Sequence, residues 1–406
     1  MHKVLTLTSL FPNPTHPSHG AFVRQRLRQL WQSGQIESRV VAPVPWYPSF
    51  LPRTKRYERF VGIPRAREEM GVTISHPRYL TIPAVGMTVA PALMAAGIHR
   101  HVRDIHKSEF KFDLIDAHYF YPDGVAAALI ARRLGVPFVI TARGTDINLI
   151  PEYRLPRKQI LWAASHANHI ITVCEALRDR IVELGVDPDK VTALRNGVDP
   201  SIFHPVDRQA ARQRLNFEGR TLLSVGILTE RKGHHLVIEA MRELEDFNLV
   251  IVGGGVDEDR LKAQAVDMGV ASRVRFDGEV DQDTLRDYYN ACDAFVLASN
   301  REGMANVLLE SLSCGTPVAA TNIWGTPEVV RDAAAGVLFD ERSPTAIASG
   351  INRLFDAFPD REATLKYAER YRWEPTTAGQ LEIFDRITAS GGPAAARPGE
   401  LTDAAE

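Results

Sequence analysis

Cysteine is scarce in this chain: the 406 residues hold three, Cys174, Cys292 and Cys314, far apart and in no Cys-x-x-Cys spacing. That excludes a disulfide framework and a cysteine-built zinc site, and it fits a reducing, cytoplasmic setting. The opening MHKVLTLTSL lacks the apolar core and small-residue cleavage site of a secretory leader, so no export is expected. Long apolar runs are missing too. The one stretch that nears membrane-span length, Tyr79–Ile98, is interrupted by Pro83 and Pro91 and diluted by Thr81 and Thr88, and it reads as something other than a span. Metal-ligand patterns are equally thin. Asp257-Glu258-Asp259 and Asp281-Gln282-Asp283 have Asp-x-Asp spacing, but both precede helical-looking segments, where acidic residues suit the first turn without a metal. Neither a metal nor a cofactor is expected.

What is present is an ordinary globular composition, 45% hydrophobic and 24% charged, at a length that fits two domains of roughly 150 to 200 residues each. The net charge of −2 conceals a polarity: residues 1–199 hold 26 Lys and Arg against 17 Asp and Glu, and residues 200–406 hold 22 against 33. A basic first half attracts an anionic acceptor or a membrane face, above all through Arg53, Lys55, Arg56, Arg59, Arg65 and Arg67 in the stretch Trp46–Arg67; a solvated charged loop explains the same residues. Without an overall positive charge no nucleic-acid partner is expected.

Short apolar runs alternate with amphipathic segments, the pattern of parallel strands joined by crossover helices. In the first half the spacing predicts strands at Val4–Leu7, Arg39–Ala42, Phe112–Ala117, Phe138–Thr141 and Ile170–Val173, with a helix over Val125–Leu134 stopped by Gly135. In the second half it predicts strands at Thr221–Val225, Asn248–Val252, Val274–Phe276, Ala294–Ala298 and Val318–Ala320. The fold class is α/β, two Rossmann-like doubly wound parallel-sheet domains facing each other across a cleft. The Asn-Gly turn and proline in Arg195–Pro200 mark the hinge. The domain boundaries follow: 1–196, 197–375, a terminal helix 376–390 returning to the first domain, and an Ala- and Pro-containing tail 391–406 that Gly391-Gly392-Pro393 sets apart as disordered. In such sheets ligands bind beyond the carboxyl ends of the strands.

The strongest local signal follows the strand Ala294–Ala298: Arg301-Glu302-Gly303-Met304-Ala305-Asn306-Val307-Leu308-Leu309-Glu310. Two glutamates eight residues apart span ~12 Å if helical, the length of a sugar diphosphate-nucleoside. A helix start between them offers backbone N–H groups and the positive end of the macrodipole to a diphosphate. Glu302 then faces sugar hydroxyls and Glu310 accepts from the ribose; a helix-start charge and a solvated glutamate explain the spacing as well. Together with Ser313-Cys314-Gly315-Thr316-Pro317-Val318 and Gly325-Thr326-Pro327-Glu328, this E-x7-E segment resembles the donor domain of the retaining glycosyltransferase family 4, also called group 1, with the GT-B fold. Gly226–Gly233, Val252–Gly255 and Gly278-Glu279-Val280 add to the match, which extends to Trp373.

That resemblance implies a retaining, metal-independent transfer of a sugar from a nucleoside-diphosphate donor, UDP- or GDP-linked, to a carbohydrate or lipid-linked acceptor, in cell-surface or exopolysaccharide synthesis. Its opening loop and Thr141–Ile150 are similar to exopolysaccharide- and teichuronic-acid-building members. It implies catalytic contacts by His118, Glu302 and Lys232, and donor contacts by Gly20, Gly226, Arg231, Val280, Gly303, Met304, Ala305, Asn306 and Glu310. Two departures stand out. The family commonly has an arginine where this chain has Ile227, which leaves Arg231 as the second cation beside Lys232. A histidine is usual where this chain has Arg143, and a guanidinium cannot act as a general base at neutral pH, so Arg143, with Asp146 beside it, becomes an anion or acceptor contact. The partners implied are the nucleotide sugar, a carbohydrate or polyprenyl-linked acceptor, and the inner membrane face. Two rival classes stay open on sequence: a sugar-nucleotide epimerase on the same architecture, and a non-catalytic nucleotide-sugar-binding partner.

Overall fold

The computed structural model describes residues 1–46, 60–82, 86–108 and 110–389. Arg53, Lys55, Arg56 and Arg59, Pro83, and the tail with Gly391-Gly392-Pro393 lie outside the described residues. The chain divides into two compact units, one of Met1–Leu194 with the segment from Glu374 onward, the other of Arg195–Trp373.

In the first unit the strands are β1 (His2–Leu7), β2 (Ile36–Val41), β3 (Val44–Trp46), β4 (Ala66–Glu69), β5 (Val72–Ser75), β6 (Arg78–Leu80), β7 (Leu114–His118), β8 (Phe138–Ala142), β9 (His169–Thr172) and β10 (Val191–Ala193). Eight of them form one sheet in the order β10-β9-β8-β7-β1-β2-β5-β4, parallel except for the antiparallel edge strand β4. The inner strands β7, β8 and β9 are buried at every position, as parallel strands covered on both faces must be. The apolar spacing of Val125–Leu134 yields a helix with those bounds, ended by Gly135 at φ 70°, a left-handed cap that glycine adopts without a Cβ clash. The terminal helix Glu374–Ala389 belongs to this unit. Its Leu381, Ile383, Phe384 and Ile387 pack with Val4, Phe11, Val23, Leu27 and Leu30 in one core.

The second unit carries β11 (Arg220–Val225), β12 (Phe247–Val252), β13 (Val274–Phe276), β14 (Ala294–Leu297), β15 (Val318–Thr321) and β16 (Gly336–Phe339). Their spatial order is β13-β12-β11-β14-β15-β16, all parallel. Counted within the unit this is 3-2-1-4-5-6, the doubly wound dinucleotide order whose reversal falls between its first and fourth strands, here β11 and β14. The loops leaving those two strands are therefore where a ligand is expected on topology alone.

The end of β6 (Arg78–Leu80) and the helix Gly86–Lys107 with Pro91 inside it fall in the stretch that neared span length. Among the described residues no helix is long and apolar enough to cross a membrane.

Candidate active site

In the second unit three turns converge at the reversal. The loop after β11 runs through Gly226 to a short turn, Glu230–Lys232. Gly226 sits at φ 151°, and a Cβ there would lie 3.3 Å from Lys232 Cε, so the lysine stem crosses directly over it. Gly233, at φ +77°, leaves no alternative to glycine: a Cβ would come within 2.0 Å of the Ala298 carbonyl oxygen at the end of β14. The two loops thus touch backbone to backbone. Gly253 repeats the arrangement, with its virtual Cβ 2.1 Å from the Gly226 carbonyl oxygen.

This contact brings the charges together. Lys232 Nζ donates to Glu302 Oε1 at 2.7 Å. Arg231 reaches the same oxygen at 3.5 Å and donates to the Arg301 carbonyl at 3.0 Å. Burial pushes the Glu302 carboxyl up, but the Lys232 and Arg231 cations outweigh it and hold the group below the ordinary glutamate value. Arg231 and Lys232 therefore point the same way. Ile227, by contrast, is exposed and contributes no charge.

Helical structure begins only at Asn306 and runs to Ser313. Glu302 and Gly303 lie in the preceding loop, so the helical rise does not measure the whole spacing between the glutamates. Ala305 stands at the N-cap position and makes no side-chain cap, and the first turn holds no acidic residue, which leaves the positive end of the helix without a fixed anion from its own sequence. Gly303, Met304 and Ala305 are buried. Asn196 fixes this start: its Nδ2 donates to Asn306 Oδ1 at 2.9 Å and its backbone N–H to Met304 Sδ at 3.3 Å. The adjoining Gly197 is held against Trp373, whose backbone nitrogen would be 2.7 Å from a Cβ.

Glu310 is partly buried one turn from the helix end, where burial pushes its carboxyl up to about 7 against the pull of a hydrogen bond from Tyr289 and of Lys232. Tyr289 Oη donates to Glu310 Oε2 at 3.0 Å from the fully buried helix face of Gln282–Ala291. Val280 is partly buried just before that helix. Asp281 caps the helix, accepting from the Thr284 N–H at 2.8 Å, and Asp257 pairs with Arg260 at 2.9 Å, so both Asp-x-Asp runs sit at helix starts.

In the first unit the carboxyl ends of β1, β7 and β8 carry the corresponding residues. Gly20, at φ +69°, begins the helix Ala21–Gln32, and a Cβ there would collide with the Leu10 carbonyl at 2.3 Å. His118 is fully buried with both ring nitrogens engaged: Arg143 Nη2 lies 2.6 Å from Nδ1, and Nε2 is 3.0 Å from Asp116 Oδ2. A guanidinium only donates, so Nδ1 is the acceptor and Nε2 carries the proton. Burial pushes this imidazole below its ordinary value, and Arg143 adds to that against the opposing pull of Asp116. Gln380 extends the network, donating to Asp116 Oδ2 at 2.9 Å and accepting from Arg26 Nε at 2.6 Å. Asp146 is buried in the short helix Thr145–Asn148 and accepts from the backbone N–H groups of Phe120, Arg143 and Gly144. Asp123, which the sequence reading did not single out, accepts from the backbone N–H and the hydroxyl of Ser9, and burial pushes it up to about 8. Tyr289, Asp123, Arg26 and Gln380 carry no motif; each reaches its partner from a distant part of the chain.

The chain thus pairs a doubly wound unit, with Lys232, Arg231 and Glu302 gathered at its strand reversal, with a second α/β unit. The comparisons make the class specific. Residues 207–371 match the description "Glycosyl transferases group 1" and residues 52–202 "Glycosyltransferase Family 4". The chain is 32% identical over 325 residues to the D-inositol 3-phosphate glycosyltransferase of Acidothermus cellulolyticus, covering 71% of each chain. It is 26% identical to Bacillus subtilis TuaC, named for teichuronic acid biosynthesis, covering 93% of this chain and 92% of that one. Among solved structures, a sucrose-phosphate synthase from Thermosynechococcus elongatus superposes with TM-score 0.80 at 17% identity, over 96% of this chain and all of the other. Anabaena HepE in complex with UDP gives 0.71 at 18%, over 95% of this chain and all of the other. The chain belongs to the group 1 (family 4) glycosyltransferases and has their GT-B fold.

Proposed function

We propose that this glycosyltransferase takes a nucleoside-diphosphate sugar on its second unit and transfers the sugar with retention, without a metal. The observation that carries the reading is the convergence of Lys232, Arg231 and Glu302 at the reversal between β11 and β14, beside an uncapped helix start. In this reading the diphosphate takes over part of the cationic partnership that Glu302 now holds, Lys232 and Arg231 stabilise the charge that develops on it, and the amides around Gly303–Asn306 add fixed dipoles. Arg231 does the work of the arginine that the family commonly has at the position of Ile227. Glu302, once shared with ligand, orients the sugar hydroxyls; Glu310 accepts from the ribose; Gly226 and Val280 flank phosphate and base. In the first unit, Gly20 lets backbone approach an anion, and Arg143, oriented by His118 and Asp116, contacts an anionic group or hydroxyl beside Asp146. A cell-surface carbohydrate or lipid-linked acceptor is the reading favoured by the relatives' names. The lipid-linked version gains support from exposed apolar side chains in the first unit, Trp46 with its strand partner Leu80, and Ile82 and Met87.

The test is a donor screen by thermal shift and mass spectrometry with UDP-, GDP- and ADP-sugars, followed by acceptor profiling. Transfer to an acceptor with the anomeric configuration kept, in the presence of a chelator, is the expected result. A new sugar nucleotide formed without acceptor would instead identify an epimerase, and tight donor binding without transfer a non-catalytic partner.

A further inference from the structure

We propose that Arg342 is a positioning residue for the diphosphate site, a guanidinium staple that fixes the turn bearing Arg231 and Lys232 against the loop bearing Glu302. It rests on the donor-site reading given above.

Arg342 follows the last strand of the second unit and precedes the helix Pro344–Asp356. Its Nε donates to the Ala298 carbonyl at 2.8 Å and its Nη2 to the Glu230 carbonyl at 2.7 Å. Ala298 directly follows β14, four residues before Glu302, and Glu230 opens the turn Glu230–Lys232. One planar group therefore holds both loops at once. Besides the Lys232 and Arg231 side-chain contacts to Glu302 and Arg301, these loops meet backbone to backbone: the Asn300 N–H donates to the Arg231 carbonyl at 2.9 Å, and Gly233 abuts the Ala298 carbonyl. Two carbonyls that accept from a charged fork at separate, fixed angles are a geometry that an arginine satisfies and a lysine meets only in part. The side chain is partly buried and touches neither Lys232 nor Glu302 in any hydrogen bond, so its influence on a diphosphate passes through the placement of the turn. A displacement of about 1 Å in a positioned charge is enough to lower function strongly.

The experiment titrates UDP, GDP and ADP, and the matching nucleosides, against wild type, Arg342→Ala, Arg342→Lys, Lys232→Ala and the double variant Arg342→Ala/Lys232→Ala. The expected result is a loss of about tenfold in diphosphate affinity for Arg342→Ala, with nucleoside affinity unchanged and partial recovery in Arg342→Lys. In the Lys232→Ala background the Arg342→Ala change has a smaller further effect than in wild type, because only Arg231 is left for the turn to position. A loss shared equally by nucleoside and diphosphate, additive losses in the double variant, or unchanged diphosphate affinity would overturn the proposal. If Arg342→Ala does not fold, Arg342→Lys decides on the same two affinities. Unchanged diphosphate affinity in Lys232→Ala would instead remove the donor-site reading itself, which separates the two failures.

Discussion

At the scale of single residues, the second unit places a lysine, an arginine and a glutamate in one salt-bridged cluster that has no structural need to lie at a strand reversal. Lys232 donates to Glu302 at 2.7 Å where both are largely screened from water, so each removes the other's desolvation cost until a ligand anion competes for the lysine. Replacing Lys232 with alanine is expected to lower turnover by about a hundredfold, as for loss of one donor to a developing anion, and Arg231→Ala to act in the same direction; steady-state kinetics with the donor found by screening measure both, and near-normal turnover in Arg231→Ala would remove it from the site. Glu310 adds a pH signature. Burial raises its carboxyl to about 7 from the ordinary 4.5, so the stability its protonated form contributes is fully present below about 4.5 and is lost as the pH rises through about 7. Ribose hydroxyls donate to the ionised form, and nucleoside affinity is therefore expected to climb between about pH 6 and pH 8 and then level off. Calorimetric titration of Glu310→Gln should give a flat profile; a profile that still climbs as in wild type would separate Glu310 from the ribose.

At the scale of elements, close backbone approach dictates glycine at the turns, and the consequence is measurable. Gly233→Ala forces a Cβ to 2.0 Å from a carbonyl oxygen at φ +77°, whereas Gly269, at φ +72°, meets nothing within 4 Å. Gly233→Ala is expected to cost more than ~2 kcal/mol and to abolish diphosphate binding, and Gly269→Ala about 1 kcal/mol with binding intact; equal effects in denaturant unfolding would contradict the packing argument. The ten strands read from apolar runs all exist, with ends shifted by no more than three residues, because buried parallel strands write continuous hydrophobic segments. Those missed are short or polar for a physical reason. β4 is Ala66-Arg67-Glu68-Glu69, an antiparallel edge strand with alternating exposure, and β16 is four residues at the other sheet's edge. Edge strands need one buried face at most, so their sequences carry little signal. Of the candidate site, the meeting of Lys232 and Glu302 was legible, because both lie in loops that leave the strands flanking the reversal. Tyr289, Asn196 and Gln380 were not, since their contacts, with Glu310, Asn306 and Asp116, arise only when segments distant in sequence fold together.

At the scale of the whole molecule, the chain forms two α/β units, and the terminal helix completes the core of the first. A ligand that binds the native second unit alone must stabilise it by mass action. A nucleoside diphosphate at a hundred times its dissociation constant is expected to add about 2.7 kcal/mol, seen as a rise of several degrees in melting temperature that Lys232→Ala reduces. The most direct test of the central claim is a crystal structure of the protein soaked with the nucleoside diphosphate that gives this shift. The account predicts phosphate oxygens on Lys232 Nζ and the amides at Gly303–Asn306, with the ribose on Glu310. A nucleotide bound elsewhere, with residues 302–310 uncontacted, would contradict it.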